Sequence, residues 1–94
     1  MSAYWIAHVT VTDPEAYAGY RTLAPAAFAR YGARFLAQGG EADVLEGPAF
    51  DRHVVIEFAD LATARACYAS PEYRAARDRR DGACVAHVVI VAGL

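Results

Sequence analysis

Residues 31–59 read YGARFLAQGGEADVLEGPAFDRHVVIEFA, and this stretch decides the fold. Ala33 to Gln38 predicts a strand that bends at Gly39-Gly40 and continues through Val44-Leu45-Glu46. A tight hairpin turn at the two glycines is the competing reading; the short apolar run after them favours a bulge. Gly47 to Asp51 predicts the turn, and His53 to Ala59 the returning strand. On that strand Val54, Ile56 and Phe58 alternate with His53, Val55 and Glu57, so the first set faces a helical layer and the second faces away.

On the N-terminal side, Ala3 to Val11 predicts a strand whose Trp5, Ala7, Val9 and Val11 share one face and whose Tyr4, Ile6, His8 and Thr10 share the other. Asp13-Pro14-Glu15 starts a helix: a capping acid, a proline where no amide is needed, and a second acid at the positive helix end. The helix runs to about Tyr31, with Tyr17, Tyr20, Ala24, Ala27 or Phe28, and Tyr31 at helical spacing. Pro25 predicts a kink or restart near Ala24. Gly32 stops the helix.

On the C-terminal side, Asp60 caps a helix over Leu61 to Ala69, with Leu61, Ala64 and Tyr68 inward. Ser70-Pro71-Glu72 repeats the start signal and opens a short arginine-rich helix over Tyr73 to Asp81. Gly82 stops it, and Cys84 to Ala92 is the last strand. No linker or low-complexity segment interrupts the chain, so residues 1–94 read as one domain.

The order βαββαβ predicts an α+β ferredoxin-like sandwich, an antiparallel sheet with two main helices on one face and the first and third strands central. Of the 94 residues, 56% are hydrophobic, rich for a small two-layer domain. The excess predicts that the second sheet face is covered as well, by another copy of the chain. Two sheets packed face to face predict a homodimer closed as a dimeric α/β barrel. A formal net charge of -2 argues against nucleic-acid binding. No apolar run reaches bilayer length and no leader precedes the first strand, so no membrane association and a cytoplasmic location are expected. Cys67 and Cys84 lack CxxC spacing and read as small buried hydrophobes.

The stretches YWIAHVTVTDPEAYAGY, GARFLAQGGEADVLEG, VVIEFAD and YASPEYRAARDRR together resemble the family called "domain of unknown function 1330" over nearly the whole chain. The order Tyr4, Asp13-Pro14-Glu15, Tyr17, Gly39-Gly40, Glu46-Gly47, Glu57-Phe58, Ser70-Pro71-Glu72-Tyr73 carries the resemblance. It implies a ferredoxin-like fold and a dimeric α/β barrel, and it implies no activity. Cys67-Tyr68 and Ala33 depart from the family, which often has tryptophan before the tyrosine and a second glycine after Gly32. Cofactor-free monooxygenases and haem-binding enzymes share the architecture, an analogy of fold that does not fix function.

Three constellations carry candidate chemistry. His8, His53 and Glu57 lie on one face, with His87 joining if the register sets it opposite His8. A histidine and a carboxylate can move protons near neutral pH, so His8 and Glu57 are the catalytic candidates. The weightier reading is polar residues hydrogen-bonded at an interface, and no HxH or HxxxH spacing supports a metal. Tyr4, Tyr17, Tyr20, Tyr68 and Tyr73, with Trp5, could line a pocket for a planar ligand, Asp13 adding an acceptor; filling a small core is their plainer use. Arg74, Arg77, Arg79 and Arg80 could hold an anion, although interleaved acids favour a solvated helix. Arg34 and Arg80 stand out as arginines on apolar faces.

GxGxxG, P-loop, GxSxG and HExxH motifs are absent. The expected protein is a small homodimer that binds a planar or anionic metabolite, with no cofactor and no metal. A cofactor-independent enzyme on that pocket, a non-catalytic binding or structural dimer, and a haem or metal protein are the readings weighed.

Overall fold

The computed structural model describes residues 1–94. Its elements are β1 (Ala3–Val11), α1 (Pro14–Arg30), β2 (Arg34–Gln38), β3 (Arg52–Phe58), α2 (Leu61–Ala69), α3 (Pro71–Arg79) and β4 (Cys84–Ala92). The strands form one antiparallel sheet in the order β2-β3-β1-β4.

Local sequence explains each helix boundary. The Asp13 carboxylate accepts from Ala16 N, the Asp60 carboxylate from Thr63 N, and the Ser70 hydroxyl from Tyr73 N. Ser70 is buried and also donates to the Cys67 carbonyl at 2.7 Å, so one hydroxyl ends α2 and begins α3. Gly32 and Gly82, at φ +68° and +75°, take the left-handed conformation that stops α1 and the α3 turn. Helix α1 runs unbroken through Pro25, so the expected restart near Ala24 is absent. The proline removes only the amide that would bond the Arg21 carbonyl.

Helices and sheet meet on one face. Ala3, Trp5, Ala7 and Val9 of β1 are buried, as are Ile56 and Phe58 of β3. Trp5 is the centre: its ring meets Phe28 and Tyr73 edge-on at 5.1 and 5.0 Å and stacks on Phe58 at 5.9 Å. Each such pair contributes about 0.5–1.5 kcal/mol beyond its buried area. In α2 the fully buried residues are Ala64 and Cys67, with Tyr68 half-buried against the core. Helices α1 and α3 approach closely at Gly19, where an added Cβ would lie 3.2 Å from Arg79 Cβ. Arg30 holds both carboxylate oxygens of Glu72 across the same seam.

The ferredoxin-like sandwich is present, but the expected closure into an α/β barrel is corrected. The sheet is open: β2 and β4 are its two edges, at opposite ends of the strand order, and nothing joins them. Closure requires edge to bond to edge, and four strands in this order leave both edges free. The stretch after Gly39 is corrected as well. The bulge falls between Phe35 and Ala37, and residues 39–51 form no strand. Gly39, at φ +67°, ends β2, and both sides of β3 are already occupied by β2 and β1. Beyond Gln38, whose partner is Val54, the chain leaves the sheet, so Val44-Leu45-Glu46 pairs with no strand.

No helix is long and apolar enough to cross a membrane.

Candidate functional site

On the helix-covered face, β1, β3, β2 and α1 enclose a cavity of about 220 Å³. Trp5, Tyr17, Tyr20, Phe28 and Ile56 are among its walls. Its polar edge is made by Arg21 and Gln38, both exposed, and by the half-buried Arg52. The Arg21 guanidinium lies over the Tyr17 ring at 5.4 Å, and Arg52 packs against Gly39, which leaves room for it by lacking a Cβ. Neither arginine has a carboxylate within 4.0 Å; the chain's arginine ion pairs are Arg30–Glu72 and Arg34–Glu57.

The phenols behind this cavity form a short relay. Tyr20 and Tyr73 share a hydrogen bond of 2.7 Å, and Arg80 lies over the Tyr20 ring at 4.9 Å. Burial pushes Tyr17, Tyr20 and Tyr73 above the ordinary phenol range. They stay protonated at neutral pH and offer hydrogen bonds rather than a base. No histidine, aspartate or glutamate lines the cavity. This arrangement can hold and orient a ligand by apolar area, phenol hydroxyls and cationic groups.

The opposite, helix-free face carries the histidines. Register sets His8 opposite His53 on β3 and opposite His87 on β4, so the three form one row across adjacent strands. His8 Nδ1 and His53 Nδ1 lie 2.8 Å apart. One must donate and the other accept, so at least one imidazole of the pair is neutral. Phe50 reaches over the row, 6.1 Å from the His8 ring and 5.0 Å from His87. Residues 42–50 complete a hollow of about 470 Å³ above it. No group of three or more His, Cys, Asp or Glu side chains is placed to hold a metal ion.

The sequence candidates are thus divided between two faces. Tyr17 and Tyr20 line the cavity, Tyr73 stands behind it, and Arg80 caps Tyr20. Tyr68 lies outside it, with Arg77 over its ring at 4.3 Å. Asp13 is an exposed helix cap. Tyr4 and Glu57 face each other on the helix-free side, where Glu57 pairs with Arg34 at 3.7 Å. Glu57 is four residues from His53 along β3, roughly 13 Å at strand rise, so it does not meet the histidines. The residues that sequence reading missed are Arg21, Gln38 and Arg52 at the cavity edge and Phe50 above the row. One signal was present: Arg52 precedes Val54, Ile56 and Phe58 at period two, a cation in line with an apolar set.

The same arrangement of sheet and helices recurs in solved structures. A protein of unknown function from Rhodopseudomonas palustris is 23% identical, with a TM-score of 0.78 over 99% of this chain and 82% of that one. A protein from Bacteroides fragilis, described as dimeric and ferredoxin-like, is 13% identical, with a TM-score of 0.64 over 98% of this chain and 96% of its own. SnoaB from Streptomyces nogalater, a cofactor-independent oxygenase, is 16% identical, with a TM-score of 0.65 over 99% of this chain and 93% of its own. At these identities the likeness is one of fold. A search of curated proteins finds no match. Residues 2–94 match the family described as Domain of unknown function (DUF1330), and the chain belongs to it.

Proposed function

We propose that this protein binds a small planar carboxylate in the cavity between α1 and the sheet, as a binding protein and not as an acid–base catalyst at that cavity. One observation carries the reading: apolar and aromatic walls end at two guanidinium groups, Arg21 and Arg52, neither of which has a carboxylate within 4.0 Å; Asp51, on the hollow beside them, pairs with neither. A cavity of about 150 Å³ admits benzene, so about 220 Å³ suits a single-ring acid. The ring lies among Trp5, Tyr17 and Phe28, and the carboxylate meets the arginines as a charge-assisted pair. Oxygenase chemistry of the kind named for SnoaB is less well supported in this cavity, because its phenols are held protonated and its lining holds no base.

Calorimetric titration with benzoate, and with the uncharged benzamide as its isostere, tests the reading. Benzoate is expected to bind saturably, benzamide to bind about tenfold or more weakly, and Arg52→Gln to erase the difference. Equal binding of the two probes, or binding of neither, would overturn it.

We further infer a homodimer built on the helix-free sheet face. Val85, Val89 and Val91 are 55%, 52% and 45% exposed there, beside the half-buried Ile6 and Val55. The Bacteroides fragilis relative is described as dimeric, and the same surface is available here. Sedimentation of Val89→Asp should show a monomer where the parent shows a dimer. Two free thiols fit a reducing compartment such as the cytosol.

A second reading rests on the His8–His53 hydrogen bond, which places a neutral imidazole in the hollow under residues 42–50. There His8 would act as a general base, with Glu57 out of reach four residues along β3 from His53. Turnover abolished by His8→Ala while the dimer persists would favour this reading; dissociation of the dimer would assign the pair to the interface.

A further inference from the structure

Helix α3 and its cap carry four arginines, and they divide into two kinds. Arg74 and Arg79 are exposed, whereas Arg77 and Arg80 are half-buried. The second pair, three residues apart on one helix face, lines a separate hollow of about 400 Å³ against Cys84, Ala86 and Val88 of β4. Arg77 lies over Tyr68 and donates to its hydroxyl at 3.1 Å. Arg80 lies over Tyr20 and donates to the Cys84 sulfur at 3.6 Å. The Nε atoms of both are buried without an acceptor.

Two like charges therefore share one hollow, and no carboxylate comes within 4.0 Å of either. Asp81, the acid on the hollow, is exposed and pairs with neither. A guanidinium presents five N–H donors, and the bonds formed within the chain use one donor on each arginine. Aromatic rings at 4.3 and 4.9 Å support both groups.

We propose that Arg77 and Arg80 form a binding site for an oxyanion, the phosphate or carboxylate group of a small molecule, distinct from the cavity edged by Arg21 and Arg52. Two guanidinium groups on aromatic supports at one hollow match a planar or tetrahedral oxyanion, which would accept from those of their donors that remain open to the hollow.

The test is an NMR titration of the arginine Nε–Hε signals of the ¹⁵N-labelled protein, with inorganic phosphate or acetate replacing chloride at constant ionic strength. Arg77 and Arg80 are expected to shift together and saturate at one affinity, while Arg74 stays still. Tighter binding of phosphate marks a phosphorylated ligand, and tighter binding of acetate marks a carboxylate; either outcome supports the site. Arg77→Gln should weaken binding about tenfold or more, and Arg74→Gln should leave it unchanged. Arg80→Gln removes a group that packs on Tyr20; should it fail to fold, the parent titration and Arg77→Gln decide. The proposal is overturned if neither anion gives a saturable shift, or if Arg74→Gln weakens binding as much as Arg77→Gln.

Discussion

The two faces of this sheet are built from the same strands and differ in what lies over them. Along β1, Trp5, Ala7 and Val9 are buried under helices, whereas Tyr4, Ile6 and His8, interleaved with them, are half-buried with no helix above. Along β4, Ala86, Val88 and Ile90 pack toward the core while Val85, Val89 and Val91 are exposed. Both faces are rich in branched aliphatic side chains. Hydrophobicity therefore does not separate them; the cover does. Polar groups follow the cover. On the helical side burial holds phenols neutral and leaves guanidinium groups short of acceptors. On the open side histidines pair with one another and Glu57 pairs with Arg34 near water.

Trp5→Ala against Ile6→Ala is the strongest way to break this contrast. The first removes the centre of the aromatic cluster and should cost about 3–5 kcal/mol in chemical denaturation. The second, on the open face, should cost about 1 kcal/mol in the separated monomer. A cost for Ile6→Ala that grows with protein concentration would mark that face as covered by a second copy. Equal costs under all conditions would erase the distinction.

Alkaline pH sharpens it next. Burial pushes the Cys67 thiol up to about 11 and raises Tyr17, Tyr20 and Tyr73 above 10.0. The unfolded chain loses these protons first, so their contribution is full below the unfolded values, near pH 9 for the thiol and 10 for the phenols. It falls as pH rises through the folded values. The urea midpoint should decline steadily above about pH 9, and Tyr73→Phe should flatten the upper part of that decline. A midpoint constant to pH 11 would contradict the burial of these groups.

The open face should respond weakly. His8→Ala removes one partially exposed hydrogen bond and should cost about 1 kcal/mol in the same denaturation assay. Arg34→Ala removes a pair in which the arginine side chain is 76% exposed, and should cost a few tenths of a kcal/mol, about the lower end for surface pairs. Larger losses at either position would show that this face bears a structural load in the monomer.

Much of the fold was legible because its signals are local. Asp13-Pro14, Asp60 and Ser70-Pro71 start helices through their own side chains, and Gly32 and Gly82 stop them through backbone freedom. Alternation sorted β1 and β3 correctly between faces. The stretch 39–51 was misread because Val44-Leu45 looks like strand, while a strand also needs a partner, and the left-handed Gly39 ends the β2–β3 pairing before that stretch is reached. Barrel closure was misread because an apolar second face implies a cover and does not specify edge-to-edge bonding. The candidate site was less legible. Arg21 lies on α1 and Arg52 on β3, 31 positions apart, and no spacing rule joins them.

The amino-acid order alone settled the kind and order of the elements and the side-chain sets that share a face, since caps, glycines and period two act within a few residues. Tertiary structure decided the rest. The row His53–His8–His87 depends on two strand registers at once, and a slip of one residue in either would turn a histidine to the other face. The placing of Arg21 and Arg52 on one cavity, and of Arg77 and Arg80 on one hollow against β4, depends on where helices settle on the sheet. That placement is set by packing around Trp5, a long-range balance of contacts that no short stretch of sequence contains.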